Sequence, residues 1–547
     1  MPRSLCSIKS LPSLERRPRT EWEEKGWWGK PPLWRRVRDR AKNYPSKTAV
    51  IDETGNLTYA ELWEESVCSA SVIHNAGLER GQIVLVQLPN WREFAPIMLG
   101  CELANTIFAF CPITWGPREV CRALNLLRPS LWITSDNYLG ENRTNTIKAA
   151  CNNAVGALEP ILLRGNGTTF RSWRDLITKA PSLSDTQATE NAGFGLDPLE
   201  VAVTSGTTGV PKGVVHAHDT VLETVQSTIE RQGISSDDVI HLALPVGHTF
   251  GYLYGVRCAL QAGGTLVMQE SWDPYRMAEL VKANDVTVTL GTAAFIIDLL
   301  NANENVRRSL KGIRLFTQSG DTLPESVIER AMDNLPFRIS RALGMTEFGH
   351  VTSTDAETPR QRVIESTGTP QREIDIIITD DQGNSLPPNK TGRILVRGPA
   401  VCAGYLIEDG TVVDVVDDLG FFDTGDLGSL DNENYLQITG RRKNVLRRGA
   451  ETVPIADLEE VLCSHPLIIH AVIVGLPDDR LGELPLACVQ ICNGSELTIE
   501  TIRLWFDEQG ITRKFWPTDI YVVRKWPTGP TGKIDRRLLQ AAYQSKK

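Results

Sequence analysis

From Leu33 to about Leu199, helical patterns alternate with short apolar strands, and the alternation resumes beyond a single polar loop. Strands are expected at Thr48 to Ile51, Ile83 to Gln87, Thr106 to Phe110 and Leu131 to Ile133. A second set is expected at Val239 to Leu244, Thr265 to Met268, Thr287 to Leu290 and Ile313 to Thr317. Each lies near a plausible helix. That order leaves few packing solutions, and the favoured one is an α/β fold built from crossover units. From Arg372 to Arg397 the pattern turns β-rich, with Asp380-Asp381-Gln382-Gly383-Asn384 as the turn of a hairpin. After Gly440 a smaller α/β unit follows, with helices at Ile455 to Cys463 and near Ile499 to Gln509. Its strands are expected at Ala471 to Val474, Ala487 to Ile491 and Asp519 to Val523. A chain of 547 residues exceeds one ordinary domain. We divide it into a polar leader (1–30), a large domain (31–440) and a small C-terminal domain (441–547).

The polar loop is Thr204-Ser205-Gly206-Thr207-Thr208-Gly209-Val210-Pro211-Lys212-Gly213, directly after the apolar run Val201 to Val203. Glycines let a backbone approach an anion closely, exposed N–H groups and hydroxyls donate to phosphate oxygens, and a lysine adds charge. As composition alone it could also be a solvated turn. It is not the loop of P-loop NTPases. Pro211 stands before Lys212 where that motif has glycine, and Gly213 follows where it has a hydroxyl.

Composition narrows the partners. A net charge of −9 with no basic stripe argues against nucleic acid. The eleven cysteines are scattered, and Cys488 and Cys492 lack a second ligand pair, so zinc is not expected and free thiols in the cytoplasm are. No apolar run reaches the roughly 18 residues of a membrane span. The stretch Ala95 to Trp115 is broken by Glu102, Asn105 and Pro112 and reads as a buried helix and strand. The first fourteen residues hold four serines, Arg3 and Lys9 but no acid. No amphipathic helix develops before Pro18, so the leader reads as disordered.

Four further stretches carry polar groups beyond packing needs. Gly344-Met345-Thr346-Glu347 offers a hydroxyl and a carboxylate, suited to a phosphate and its magnesium or to a helix start with Thr346 as cap. Asp423-Thr424-Gly425-Asp426 suits ribose hydroxyls or a simple Asx-turn. Gly440-Arg441-Arg442-Lys443-Asn444 precedes Arg447-Arg448-Gly449 as a run of charge and glycine. Pro527-Thr528-Gly529-Pro530-Thr531-Gly532-Lys533 presents one lysine on a rigid-then-flexible loop.

Together these stretches resemble the adenylate-forming superfamily: acyl-CoA synthetases, aryl-CoA ligases, carrier-loading adenylation domains and luciferases. Thr204 to Gly213 matches every fixed position of its T-S-G-T-T-G-x-P-K-G loop. Gly344 to Glu347, Thr424 to Asp426, Gly440-Arg441 with Lys443, and Gly532-Lys533 match its other motifs, in order. The resemblance runs from about Trp34 to Leu539 and implies two half-reactions. A carboxylate attacks the α-phosphorus of ATP and expels pyrophosphate; a thiol, usually that of coenzyme A, then displaces AMP.

The resemblance also implies roles. Thr204, Ser205, Gly206, Thr207, Thr208 and Lys212 would hold the β- and γ-phosphates. Thr346 would touch the α-phosphate, and Glu347 would hold magnesium. Asp426 and Arg441 would bind the ribose, and Ser319, Gly320, Asp321, Leu343, Gly344 and Met345 would line the nucleotide and acid site. Lys533 would be the main catalytic residue of the first step, and His248 would lie beside the acid, unless it is a core histidine. Lys443 would be the hinge of a mobile small domain, whose swing brings Gly449 to the thiol channel. His216 and His218 read as structural. The acid pocket would be lined near His248, Tyr252, Gly291, Thr292, Ala293 and Gly320, with room for a ring or medium chain.

Three positions depart from the family pattern: Leu343 where an aromatic residue commonly stacks on adenine, Arg393 where glutamate is usual, and Asn444 beside the hinge lysine. Local stretches such as Ser319 to Pro324 look most like cyclohexanecarboxylate, medium-chain and aryl acid CoA ligases. The expected partners are therefore a small carboxylic acid and coenzyme A, or a carrier protein, acting on a monomer or homodimer. An alternative of another class is a nucleotide-binding regulator without catalysis.

Overall fold

The computed structural model describes residues 5–155, 158–164, 170–204, 211–321, 323–441, 446–448, 451–453, 455–478, 482–492, 495–511, 513–529 and 533–546. Among them, the strands form two nine-stranded sheets, one four-stranded sheet, one five-stranded sheet and a two-stranded ribbon. The first large sheet is parallel through Ile107–Phe110, Ile83–Gln87 and Leu131–Thr134, and it continues into the antiparallel pair Pro198–Thr204 and Lys212–Ala217. The second is parallel from Thr48–Asp52 through Thr265–Met268, Val239–Leu242, Val288–Gly291 and Leu315–Ser319 to Arg338–Met345. These strands read as unbroken apolar runs because helices cover both faces. The helix Phe94–Leu103 is buried at every position, as an all-round apolar helix must be.

The expected hairpin near residue 380 is present: Asp375–Thr379 pairs antiparallel with Gly392–Arg397. The sheet continues through Phe422–Leu430 to Leu436–Arg441. The small unit then holds its own five-stranded sheet, built on the long hairpin of Ile468–Asp478 and Gly482–Ile491, with helices Ile455–Cys463, Ile499–Glu508 and Arg536–Gln544 packed around it.

The leader departs from expectation. Residues 5–30 are a packed strap, not a disordered tail. Its apolar residues are few but large: Leu11, Leu14, Trp22 and Trp28 are buried, and Trp22 and Trp28 meet edge to face at 4.6 Å. They share a core with Trp115, Val203, Val215 and Leu406. Mean polarity hides this, because two buried indoles outweigh many exposed charges.

One buried charge pair ties the layers together. Glu102, on the fully buried helix, meets Arg257 at 2.7 Å, and both side chains are 0% exposed. Arg257 Nη1 also donates to the Tyr252 hydroxyl at 3.0 Å, and that hydroxyl donates to Glu200 Oε2 at 2.6 Å. Glu200 lies on Pro198–Thr204, the strand that leads into the polar loop. Breaking such a pair strands a charge in the core. Arg257→Met is expected to destabilise the large domain by about 3–5 kcal/mol in denaturant unfolding. Arg257→Met with Glu102→Leu is expected to recover most of that loss; equal losses in the single and double variants would contradict the pair's role.

Candidate functional site

A cleft of about 620 Å³ opens between the large and small domains. It brings together Gly320, Asp321, Leu343, Gly344 and Asp426 of the large domain with Lys533 of the small one. The lysine is presented by a closed loop: Thr528 and Ile534 pair, and the Gly529 amide donates to the Lys533 carbonyl at 2.7 Å. Asp535 then caps Arg536–Gln544 by accepting from the Arg537 and Leu538 amides. Gly320 makes the approach possible. Its φ of +93° disfavours other residues, and a methyl group there would lie 3.0 Å from Lys533 Cε.

Two titratable groups face that lysine. The Asp321 carboxylate accepts from the Ala293 amide at 2.9 Å and from Gln318 Nε2 at 3.2 Å. Burial pushes its pKa up to about 6, opposed by these bonds and by the Lys533 ammonium. His248 caps the short helix Thr249–Gly251, with Nδ1 accepting from the Phe250 amide at 3.3 Å. Burial first, and the Lys533 ammonium second, push its pKa down to about 3. A neutral ring that accepts at Nδ1 carries its proton on Nε2, so His248 is a donor at neutral pH.

A second group gathers at the polar-loop end. Thr204 ends its strand in register with Lys212 on the next. Gly344 to Glu347 is not a helix start: Gly344 and Met345 end the strand Arg338–Met345, and Thr346 and Glu347 turn into its antiparallel partner Gly349–Ser353. Three contacts hold this turn: His216 Nε2 meets the Thr346 carbonyl at 2.8 Å, Thr249 donates to the Thr346 hydroxyl at 3.2 Å, and the Cys402 amide donates to the Glu347 carbonyl at 2.7 Å. The Glu347 carboxylate accepts from the Tyr405 hydroxyl at 2.8 Å, and the Lys212 ammonium lies 4.5 Å from the centre of the same ring. A bulge between Asp423 and Leu427 and the positive φ of Gly425, +72°, set the backbone from which Asp426 lines the cleft, directly across from Arg441.

Some selected residues serve other contacts. Ser319 donates to the Ala342 carbonyl at 3.0 Å and so ties two strands. Met345 packs on the apolar cluster around Phe348, and Leu343, 7% exposed, belongs to that cluster while facing the cleft. Tyr252, expected near the acid, lies instead among Phe94, Phe108 and Phe110 in the core. Gly291 likewise abuts Phe295 and Phe316. Arg393, where the family pattern has glutamate, pairs with Asp423 at 2.6 Å. Ser205, Gly206, Thr207, Thr208, Lys443, Asn444 and Gly449 lie outside the described residues, as does the side chain of Arg441.

Sequence reading missed three features. His350 stacks on Tyr254 at 3.7 Å, and both its ring nitrogens are buried with no hydrogen-bond partner among the described residues. A methyl group on Gly344 would meet its ring at 2.7 Å, which places His350 against the cleft wall. Tyr405 is the second feature. The third is the docking contact of the small domain. The Glu460 carboxylate accepts from the Glu325 and Ser326 amides at 2.5 and 3.0 Å, at the start of Glu325–Asn334. Arg330 on that helix donates back to the Ile468 carbonyl at 3.0 Å and to that of Ile469.

Comparison with known proteins agrees with this arrangement. A model of the AMP-binding enzyme family matches residues 37–406, and a model of the AMP-binding enzyme C-terminal domain matches residues 457–533. The chain is 28% identical to a medium-chain fatty-acid–CoA ligase of Escherichia coli, over 95% of this chain and 92% of that one. It is also 28% identical to a salicyl-AMP ligase / salicyl-S-ArCP synthetase of Mycobacterium tuberculosis, over 94% and 91% of the two chains. The ATP-bound structure of MatB from Rhodopseudomonas palustris shares the fold, with a TM-score of 0.80, 24% identity, and coverage of 94% of this chain and 99% of that one. With a family model spanning most of its large domain and a second in its small one, the chain belongs to the AMP-binding enzyme family of ATP-dependent, adenylate-forming acid ligases.

Proposed function

We propose that this protein is an AMP- and pyrophosphate-forming carboxylic acid:CoA ligase acting on a medium-chain, alicyclic or aryl acid. The observation that carries the reading is Lys533, delivered by the small domain to Gly320, Asp321 and His248. In the first step two anions must meet, so the site has to supply positive charge where charge accumulates. A carboxylate oxygen bonds to the α-phosphorus as the bond to the bridging oxygen of the β-phosphate breaks. Lys533 Nζ is suited to bridge the carboxylate and the α-phosphate, with His248 Nε2–H as a second donor to the acid. Thr346 serves the α-phosphate, Asp426 and Arg441 the ribose, and Thr204 to Thr208 with Lys212 the leaving pyrophosphate. In the second step the thiol sulfur attacks the acyl carbonyl and AMP leaves.

Magnesium fits the donor set. Glu347 is one buried carboxylate at the phosphate end, and magnesium is commonly held by one or two carboxylates plus substrate phosphates. When bound, it would neutralise charge on the departing pyrophosphate.

The similarity to ligases named for a medium-chain fatty acid and for salicylate supports a medium-chain or aryl acid, with either coenzyme A or a carrier protein as acceptor. Coenzyme A is our reading. A pyrophosphate-release screen should include aryl acids with and without ring hydroxyls, because His350 offers an unused buried donor and acceptor near Gly344. At least one acid is expected to support release, with free coenzyme A accelerating AMP formation. Release by no acid would instead point to a non-catalytic nucleotide binder.

Lys533→Ala is expected to depress adenylate formation by at least about 100-fold, while thioester formation from a preformed adenylate changes little. Equal losses in both half-reactions would remove the assigned role. Arg330→Ala is expected to act in the same direction but more weakly, since it loosens docking without touching the chemistry. Single-turnover measurement of each half-reaction separates these outcomes.

A further inference from the structure

The segment 399–403 is gripped from two sides. From the strap, Trp28 Nε1 donates to the Pro399 carbonyl at 3.1 Å. Arg17 donates to the Val401 carbonyl and, at 2.6 Å, to that of Cys402. Ser13 donates to the Ala403 carbonyl at 2.6 Å. On the other side, the Cys402 amide donates to Glu347 and the Ala403 amide to the Val215 carbonyl at 2.8 Å. Ala400 to Ala403 are buried, so these carbonyls have no water to fall back on. The next residues, Gly404–Leu406, add to the sheet edge beside Lys212–Ala217, with Tyr405 opposite Val214.

We propose that Tyr405 is a positioning residue for the magnesium–triphosphate end of the site and that the N-terminal strap holds it there, a proposal that rests on the reading of Glu347 as magnesium ligand. One ring serves two catalytic-end charges: its face carries the Lys212 ammonium, and its hydroxyl orients Glu347 through Oε1. The ring also keeps the two charges from collapsing onto each other, which would spend the carboxylate on the lysine. Arg17, the strap residue with two bonds to this segment, sets the backbone from which Tyr405 projects.

The test is the magnesium dependence of pyrophosphate release by the full chain, at saturating ATP and acid, for Tyr405→Phe, Arg17→Ala, Arg17→Lys and Glu347→Gln. Tyr405→Phe keeps the ring and loses one bond. It is expected to raise the half-maximal magnesium concentration about three- to tenfold, with the acid KM and the unfolding midpoint unchanged. Arg17→Ala is expected to move the magnesium curve the same way, and Arg17→Lys to restore part of the shift. If Glu347→Gln shifts the curve and Tyr405→Phe does not, Tyr405 has no positioning role. If Arg17→Ala moves the acid KM as much as the magnesium curve, the strap is only structural. If Glu347→Gln leaves the curve in place, the magnesium reading fails and this proposal with it.

Discussion

A lysine from one domain has to enter the interior of another, and position 320 is where that becomes possible. Its backbone takes a conformation that side chains disfavour, and a Cβ there would press on Lys533 Cε at 3.0 Å. The groups around that space follow from the lysine's charge. At Asp321, amide donors and the ammonium offset part of the carboxylate's desolvation. His248 stays neutral for the converse reason, and that neutrality leaves a proton on the nitrogen facing away from its cap.

The opposite end of the cleft is organised by backbone. The turn at Thr346 and Glu347 is held by an imidazole, a hydroxyl and an amide from three separate segments. The strap, the sheet edge and this turn converge on 399–403, which has no regular structure of its own. Such a segment is fixed only by what surrounds it, so its order reports the integrity of the domain's farthest parts. The buried Arg257, Tyr252 and Glu200 chain does comparable work beneath the strand leading to the polar loop.

Much of this was legible in the residues. Strands such as Ile83–Gln87 and Thr265–Met268 are legible to the residue, because short apolar runs between turn formers leave little freedom. The helix Ile455–Cys463 was read equally well from its period. The motif residues Gly344, Asp426 and Lys533 share one cleft, whereas Thr346 and Glu347 of the same motifs stand in the turn beside it. The strap was misread because burial there depends on a few large side chains. Tyr252 was misread because pairing with Glu200 and Arg257 is tertiary and leaves no periodic trace. Tyr405 and His350 were missed for the same reason: each acquires its role from partners more than fifty residues away in sequence. The Thr346 turn looked like a helix start because caps and hairpin turns favour the same small polar residues.

Docking of the small domain has an unusual currency. Glu460 and Arg330 both address main-chain atoms, so neither has a side-chain partner that must change with it. Substitutions at Glu325, Ser326, Ile468 or Ile469 leave the gripped amides and carbonyls in place. Two side chains, one on each domain, thus grip main chain beside the apolar core that the domains share. Loss of either side chain is therefore expected to weaken docking without altering any group that stands beside Lys533.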